Sequence, residues 1–258
     1  MKTVITAIAA WVFGMTMFLP ASAWAVHPFQ VEDTDVQGPA NLLLELFSDY
    51  TKNSGQKEIT SAGVLNVGVS DSVDLALEVP YLVLDPSTTT NQNAHGLGDV
   101  ELKFKHRVYE NEVHQSFGYQ VFTSLPTGDY DQGLGTNNVI VGFKLMDQQG
   151  CCNTIFHVSV GYESYAKDLK EMHFSENSVI QFGVAVEHKL TESFWLLSEL
   201  LGEDRKGLLV GTGPHPYTFM AGFRYDISKS WYADLAARFG LNSDAEDYSV
   251  LAGTAWRF

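Results

Sequence analysis

The sequence predicts an all-β protein, an antiparallel up-and-down transmembrane β-barrel of 12 strands. Three observations lead to this fold class: segments in which apolar and polar residues alternate, connections that alternate between short and long, and an apolar leader at the start of the chain. Alternation with a period of two residues is typical of strands with one apolar and one polar face. Outer-membrane barrels combine such strands with tight turns at one end and longer loops at the other.

The leader occupies residues 1–25. Lys2 gives it a positive start, residues 4–19 are apolar, and Ala21-Ser22-Ala23 and Ala23-Trp24-Ala25 both match the small-x-small pattern of a cleavage site. These features predict a secretory signal peptide, with a membrane anchor as the alternative. The exported chain, residues 26–258, contains no later apolar run long enough for a membrane helix.

Twelve segments of the exported chain alternate. The clearest are "DVELKFKHRVY" at 99–109 and "YTFMAGFRYDI" at 217–227, which place Phe104 and Phe223 opposite Lys103 and Arg224. Each segment has about the length of a tilted strand that crosses a membrane. The predicted strands lie near 41–52, 57–69, 72–84, 98–109, 113–125, 137–147, 153–165, 177–189, 192–203, 215–227, 230–241 and 248–258.

The connections between these segments alternate in length, as expected for a barrel with both termini in the periplasm. The short connections are 70–71, 110–112, 148–152, 190–191 and 228–229, and the longer ones are 85–97, 126–136, 166–176, 204–214 and 242–247. The connection at 53–56 is short but falls in the long series. Residues 26–40 form a periplasmic N-terminal tail or a plug of the lumen, because Pro28 and Pro39 argue against a further strand.

The apolar faces are predicted to point outward, toward lipid. Charges recur on the polar faces at strand centres, aromatic residues collect near strand ends, and the chain is exported. The rival fold, a secreted all-β domain, would turn the same faces the other way. A net charge of −15 argues against binding to nucleic acid, because phosphate groups require a basic surface.

The charged residues of the inward faces are candidates for lining a substrate path. Such facing charges set selectivity in a polar channel, but they could equally form salt bridges that fill a narrow barrel. Lys103, Lys105 and Arg107 form a basic stripe on one strand, for which pairing with carboxylates such as Glu78 is the favoured interpretation. The candidates are Glu78, Glu101, Lys103, Lys105, Arg107, Lys144, Glu187, Glu199, Arg224, Asp234 and Arg238.

No catalytic group is predicted. His106, His188 and Ser198 have lipid-facing parity, but both histidines fall near the periplasmic ends of their strands and no Ser–His–carboxylate arrangement is evident. We therefore expect no enzyme activity, no metal site and no cofactor. Cys151 and Cys152 lie in a predicted periplasmic turn, where they could remain thiols, form a strained vicinal disulfide or bridge to a partner.

The chain ends on the strand "YSVLAGTAWRF". Gly253, Trp256 and Phe258 have the spacing G-x-x-W-x-F, which resembles the C-terminal signal that the barrel assembly machinery of bacteria recognises. Leu251 departs from the polar residue often found at the head of that signal. The last strand is expected to pair with the first, because closing the sheet removes its edges.

Several stretches, in the same order, resemble the bacterial outer-membrane family described as putative MetA-pathway phenol degradation proteins, often called transporters. They are "HPFQVEDTDVQGPANLLLEL" at 27–46, "VSDSVDLALEVPY" at 69–81, "GLGDVELKFKHRV" at 96–108, "SLPTGD" at 124–129 and "AGTAWRF" at 252–258. The resemblance implies a 12-stranded type of barrel associated with uptake of small, sometimes aromatic, compounds.

The expected function is therefore a channel or transporter in the outer membrane of a Gram-negative bacterium, for small molecules that include aromatic or other hydrophobic compounds. The expected partners are outer-membrane lipid, the barrel assembly machinery and a small-molecule solute. A structural or adhesive barrel with partner-binding loops is the first alternative, and a lipid-modifying enzyme is the second.

Overall fold

The computed structural model of this chain is a closed antiparallel β-barrel, and it describes residues 27–85, 92–111, 115–166, 178–204 and 215–258. The predicted signal peptide at 1–25 lies outside the described residues. The strands are β1 Leu42–Asn53, β2 Gln56–Ser70, β3 Val73–Asp85, β4 Ala94–Leu97, β5 Val100–Glu110, β6 Gln115–Leu125, β7 Val139–Cys151, β8 Thr154–Ala166, β9 Ser178–Lys189, β10 Phe194–Asp204, β11 Tyr217–Ser228, β12 Trp231–Gly240 and β13 Tyr248–Arg257. No helix among the described residues is long and apolar enough to cross a membrane.

Short β4 and long β5 form one strand of the barrel. Both pair with the same edge of β3, β4 at Tyr81–Leu84 and β5 at Val73–Glu78, so the thirteen segments make twelve barrel strands. Gly98 and Asp99 separate the two pieces. Asp99 turns its carboxylate to the next loop, where it accepts hydrogen bonds from the backbone N–H groups of Gly128 at 2.9 Å and Thr136 at 2.8 Å.

The first and last strands close the sheet. β1 pairs with β13 from Leu43 opposite Arg257 to Lys52 opposite Tyr248. Beyond the end of β13, Phe258 N donates to Leu42 O at 2.9 Å and Leu42 N donates to Phe258 O at 3.2 Å. Closure leaves none of the described barrel strands with a free edge, as a sheet surrounded by hydrocarbon requires.

The apolar side chains face outward around the barrel. Phe104 and Phe223 lie in the middle of β5 and β11 and are 36% and 38% exposed. Arg224, which follows Phe223, is only 2% exposed. Exposed apolar residues at alternate positions, with charged residues enclosed, are the arrangement of a transmembrane barrel. The prediction of a 12-stranded outer-membrane barrel is therefore confirmed, and the inverted, secreted alternative is excluded.

Most tight turns lie at one end of the barrel, which we call the periplasmic end because outer-membrane barrels place such turns there. β1 begins at this end, and β2 leads into β3 through Asp71 and Ser72. Three register shifts, at Gly68/Ser70, Arg107/Tyr109 and Asp226/Ser228, also lie at this end.

Cys151 and Cys152 lie in the exposed turn between β7 and β8. Their Sγ atoms are 3.4 Å apart and form no disulfide.

Candidate functional site

Residues 27–40 form what we call the N-terminal segment, of which residues 27–37 lie inside the barrel and residues 38–40 form the exposed turn into β1. The segment folds back from the start of β1 through Gly38 and Ala40, which both have positive φ angles, 78° and 62°. Ala40 N donates to Gly68 O at 3.0 Å, and Gly68 N donates to Asn41 O at 2.9 Å. A Cβ atom at Gly68 would fall on the carbonyl of Gly38, so the close approach of segment and wall requires glycine at position 68.

Wall side chains bind the backbone of residues 30–37 of the segment, which belong to no strand. Gln37 N donates to Asp74 Oδ2 at 2.9 Å on β3, and Gln30 N and Val31 N donate to Glu199 Oε2 at 2.6 and 2.8 Å on β10. Buried N–H groups need such acceptors, because an unpaired one costs free energy comparable to a lost hydrogen bond. Carboxylates from opposite sides of the barrel therefore hold the segment along its length.

His27 anchors the far end of the segment. Its Nδ1 lies 2.7 Å from Asp234 Oδ1, its Nε2 lies 3.1 Å from Asp49 Oδ1, and its ring stacks on Phe47 with centroids 4.6 Å apart. Burial lowers the pKa of His27, but the two carboxylates raise it more, to about 9. The imidazole is consequently protonated at neutral pH and pairs with β1 and β12 at the same time.

The N-terminal segment packs against the wall formed by β8 to β13 and fills that half of the lumen. Phe29 and Val31 belong to a buried apolar cluster whose other members come from β8 to β13. Those members are Ile155, Ala185, Trp195, Leu197, Leu201, Met220, Ala236 and Leu251.

A buried ionic network completes this packed half. The guanidinium of Arg224 lies 2.9 Å from Glu187 Oε2 and 3.2 Å from Asp226 Oδ1. The same guanidinium lies over the rings of Trp195 and Tyr232, 4.6 and 5.5 Å from their centroids. Side chains therefore occupy this side of the barrel, and the larger open space lies along the opposite wall.

The opposite half contains a cavity of about 330 Å³, which we call the outer cavity. It lies between the N-terminal segment and a wall made mainly by β1, β2, β3, β5, β6 and β7. Glu101 and Gln181, near the starts of their strands, place it toward the end of the barrel with the long loops. Phe29, Phe47 and Val64 give the cavity an apolar side, and charged residues give it a polar one.

Several charges around the outer cavity are paired. Lys103 Nζ lies 2.8 Å from Glu78 and 3.1 Å from Glu101. Glu32 of the segment lies 3.7 Å from Lys105 and 3.5 Å from Lys144. Burial raises the pKa of Glu32, but the lysines Lys144, Lys105 and Lys103 together lower it to about 2, so this carboxyl is ionised.

A second, much smaller cavity of about 10 Å³ lies toward the periplasmic end, and we call it the inner cavity. Glu45, Asn66 and Lys105 line both cavities, so these side chains mark the level at which the open space narrows. The remaining residues of the inner cavity are Asp33, Asp35, Gln37, Leu43 and Asp74. An inner cavity of this volume is about large enough for one water molecule.

A comparison with protein families identifies the chain. Residues 23–258 match the family model described as "Putative MetA-pathway of phenol degradation". The chain belongs to this family. The resemblance noted in the sequence is thereby confirmed over the whole barrel. Comparison with curated proteins found no match.

Solved structures similar to this phenol-degradation family member share its fold. The COG4313 outer membrane channel from Pseudomonas putida F1 has a TM-score of 0.69 at 14% identity, covering 88% of this chain and 98% of that chain. The NanC porin has a TM-score of 0.57 at 12% identity, covering 83% and 98%. The KdgM porin has a TM-score of 0.56 at 11% identity, covering 84% and 99%.

The structure divides the eleven sequence-predicted lumen residues of this family member among three places. Four lie in the packed half or hold the segment: Glu187, Glu199, Arg224 and Asp234. Arg107 lies at the periplasmic rim, where it pairs with Glu110 at 3.1 Å and donates to Asp71 O at 3.0 Å. The other six line the outer cavity: Glu78, Glu101, Lys103, Lys105, Lys144 and Arg238.

Sequence reasoning missed the charged residues of the N-terminal segment. His27, Glu32, Asp33 and Asp35 all make contacts inside the lumen, but they lie outside the alternating strands that defined the candidates. The acidic run "EDTD" at 32–35 was the available signal, because charges so dense in an otherwise apolar-rich barrel need partners.

The histidines considered for catalysis have structural partners. His106 Nδ1 lies 3.3 Å from the hydroxyl of Tyr119, and His188 Nδ1 lies 2.8 Å from Thr154 Oγ1. Within the described ranges, no group of three or more His, Cys, Asp or Glu side chains is arranged to hold a metal ion.

Proposed function

We propose that this protein is an outer-membrane channel through which small solutes pass along one side of the lumen, between the N-terminal segment and the wall formed by β1 to β7. The observation that carries the proposal is the outer cavity of about 330 Å³. This volume is at the lower end of the range for small-molecule sites. The fold shared with outer-membrane channels and porins supports the same function.

The lining of the outer cavity suits solutes that combine an apolar body with a polar group. Phe29, Phe47 and Val64 offer apolar contacts, while the ion pairs of Lys103 and Lys144 offer donors and acceptors. Small aromatic compounds with a hydroxyl or carboxyl group have this character. We therefore include them in the proposed solute class, as the family name also suggests.

The experiment is conductance of the purified chain in a planar lipid bilayer, together with solute-driven swelling of liposomes that contain it. Val64→Trp adds a large side chain to the outer cavity and should reduce both signals severalfold. Leu65→Trp is the matched control, because Leu65 is the neighbouring residue on the lipid face and is 39% exposed. A wild-type barrel that neither conducts nor swells liposomes would overturn the proposal, as would equal effects of the two substitutions.

A further inference from the structure

The inner cavity differs from the outer cavity in its balance of charge. Around the outer cavity, Glu32, Glu45, Asp49, Glu78 and Glu101 face Lys103, Lys105, Lys144, Arg238 and the protonated His27, so the two signs are equal in number. Around the inner cavity, Asp33, Asp35, Glu45 and Asp74 face Lys105 as the one basic lining residue among the described residues. The narrow level of the lumen is therefore acidic.

Two of these carboxylates have an oxygen with no partner. Glu45 and Asp74 are only 6% and 4% exposed. Glu45 Oε2 accepts from Asn66 Nδ2 at 2.8 Å, and Asp74 Oδ2 accepts from Gln37 N at 2.9 Å. Glu45 Oε1 and Asp74 Oδ1 have no hydrogen-bond partner within the described part of the chain. Both side chains line the inner cavity, and buried carboxylate oxygens of this kind favour a cation beside them.

The nearby basic groups contact residues other than Glu45 and Asp74. Lys105 Nζ lies 2.8 Å from Asp33 Oδ1, and Arg257 Nε donates to Gln37 Oε1 at 3.0 Å. Arg107 pairs with Glu110 at the rim, and His157 lies 3.2 Å from Glu187 on the packed side. With Lys105 and Arg257 counted as the closest cations, two of the four carboxylates lack an opposite charge when all four are ionised.

Asp35 adds to this excess in a manner that depends on pH. Burial and the neighbouring Asp33 carboxylate raise the pKa of Asp35 to about 7, against the opposing effects of His157, Gln148 and Lys105. The acidic character of the inner cavity should consequently be greater above pH 7 than below it.

From this geometry we propose that the inner cavity makes the channel selective for small cations, with Glu45 and Asp74 as the residues that determine the selectivity. This inference rests on the proposed channel function. Rings of Asp and Glu side chains select cations in other channels, and conduction requires that the ion be bound weakly enough to leave.

The test is the reversal potential of the purified chain in a planar bilayer with a gradient of KCl. The wild-type channel should prefer K⁺ over Cl⁻ severalfold. The Glu45→Gln/Asp74→Asn variant should keep its conductance within about twofold, while the preference for K⁺ falls toward unity because the two uncompensated charges are gone.

The control is Glu110→Gln/Asp147→Asn, which removes two negative charges at the same end of the barrel but outside both cavities. It should retain the wild-type reversal potential. If the double cavity variant fails to fold, single Glu45→Gln provides the comparison, and the sign of the wild-type reversal potential still decides the proposal.

The possible results distinguish failure of the cation selectivity from failure of the channel function. A wild-type barrel without conductance would overturn both. A conducting barrel that prefers Cl⁻, or one whose cation preference survives Glu45→Gln/Asp74→Asn, would overturn only the cation selectivity.

Discussion

Nδ1 of His27 lies 2.7 Å from Oδ1 of Asp234, which is 207 positions further along the chain. This ion pair joins the N-terminal segment to β12, while the other nitrogen of the same ring joins it to Asp49 on β1. The end of the segment is thus fixed by two strands on either side of β13, the last strand of the barrel.

The first prediction concerns the pH dependence of this anchor. The pKa of His27 is raised from 6.5 to about 9, so protonated His27 stabilises the docked segment fully below pH 6.5, and this contribution is lost as the pH rises through 9. The shift corresponds to a free energy on the order of 3 kcal/mol. Conductance should therefore rise between pH 6.5 and pH 9.5 as the segment loosens. His27→Gln should conduct more at pH 6.5 and should lack the rise in conductance between pH 8 and pH 9.5, above the range in which Asp35 titrates. An equal rise in both proteins over that range would contradict the prediction.

The second prediction concerns the turn at the other end of the segment. Gly68→Ala places a methyl group on the carbonyl of Gly38, so the segment should be pushed away from β2 and the conductance should increase. Gly63→Ala on the same strand is the matched control, since its Cβ would meet only the Leu46 side chain at 3.4 Å. Single-channel recording of both variants checks the prediction, which is wrong if Gly68→Ala conducts like Gly63→Ala.

The third prediction concerns the packed half of the lumen. Arg224→Met should lower the free energy of unfolding by about 3–5 kcal/mol, because it leaves Glu187 buried without its strongest partner. Arg224→Met/Glu187→Gln should recover part of this loss. The measurement is urea unfolding in detergent micelles, in which the folded fraction is read from the gel shift between unheated and heated samples. A double variant no more stable than the single one would show that the ion pair is not the source of the loss.

The fourth prediction concerns the end of the chain. The rings of Trp231 and Trp256 stack with centroids 5.5 Å apart, and the backbone of Phe258 pairs with Leu42. Deletion of Phe258 should reduce the amount of barrel assembled in the membrane, whereas Phe258→Tyr, which keeps the backbone pairing and an aromatic ring, should not. The amount of heat-shifted protein in isolated outer membranes measures the difference. Equal amounts would argue that Phe258 is not part of an assembly signal.

The barrel was predictable because its signals are local. Alternation in stretches such as "DVELKFKHRVY" predicts both the strand and its lipid-facing side. Because lipid offers no hydrogen bonds to backbone groups, a sheet of such strands has to close into a barrel. The alternating pattern does not predict the break between β4 and β5. Gly98 and Asp99 interrupt this barrel strand, and the Asp99 carboxylate binds the neighbouring loop.

The division of the lumen was not predictable in the same way. Parity places Glu199 and Glu78 inside the barrel, but it does not say that Glu199 holds the N-terminal segment while Glu78 faces open space. That difference depends on where residues 27–40 lie, which is decided by acceptors on strands far apart in sequence. Contacts between residues so far apart in the chain leave no periodic pattern in the sequence.

The pairing of β1 with β13 has a consequence for how the chain is made. β1 can complete its hydrogen bonds only after β13 has been synthesised, so a partly formed sheet has two unpaired strand edges until these strands meet. Such distant contacts form slowly. Both edges need protection until β1 and β13 meet, and the N-terminal segment must be enclosed in that same event or inserted afterwards from the end of the barrel at which β1 begins.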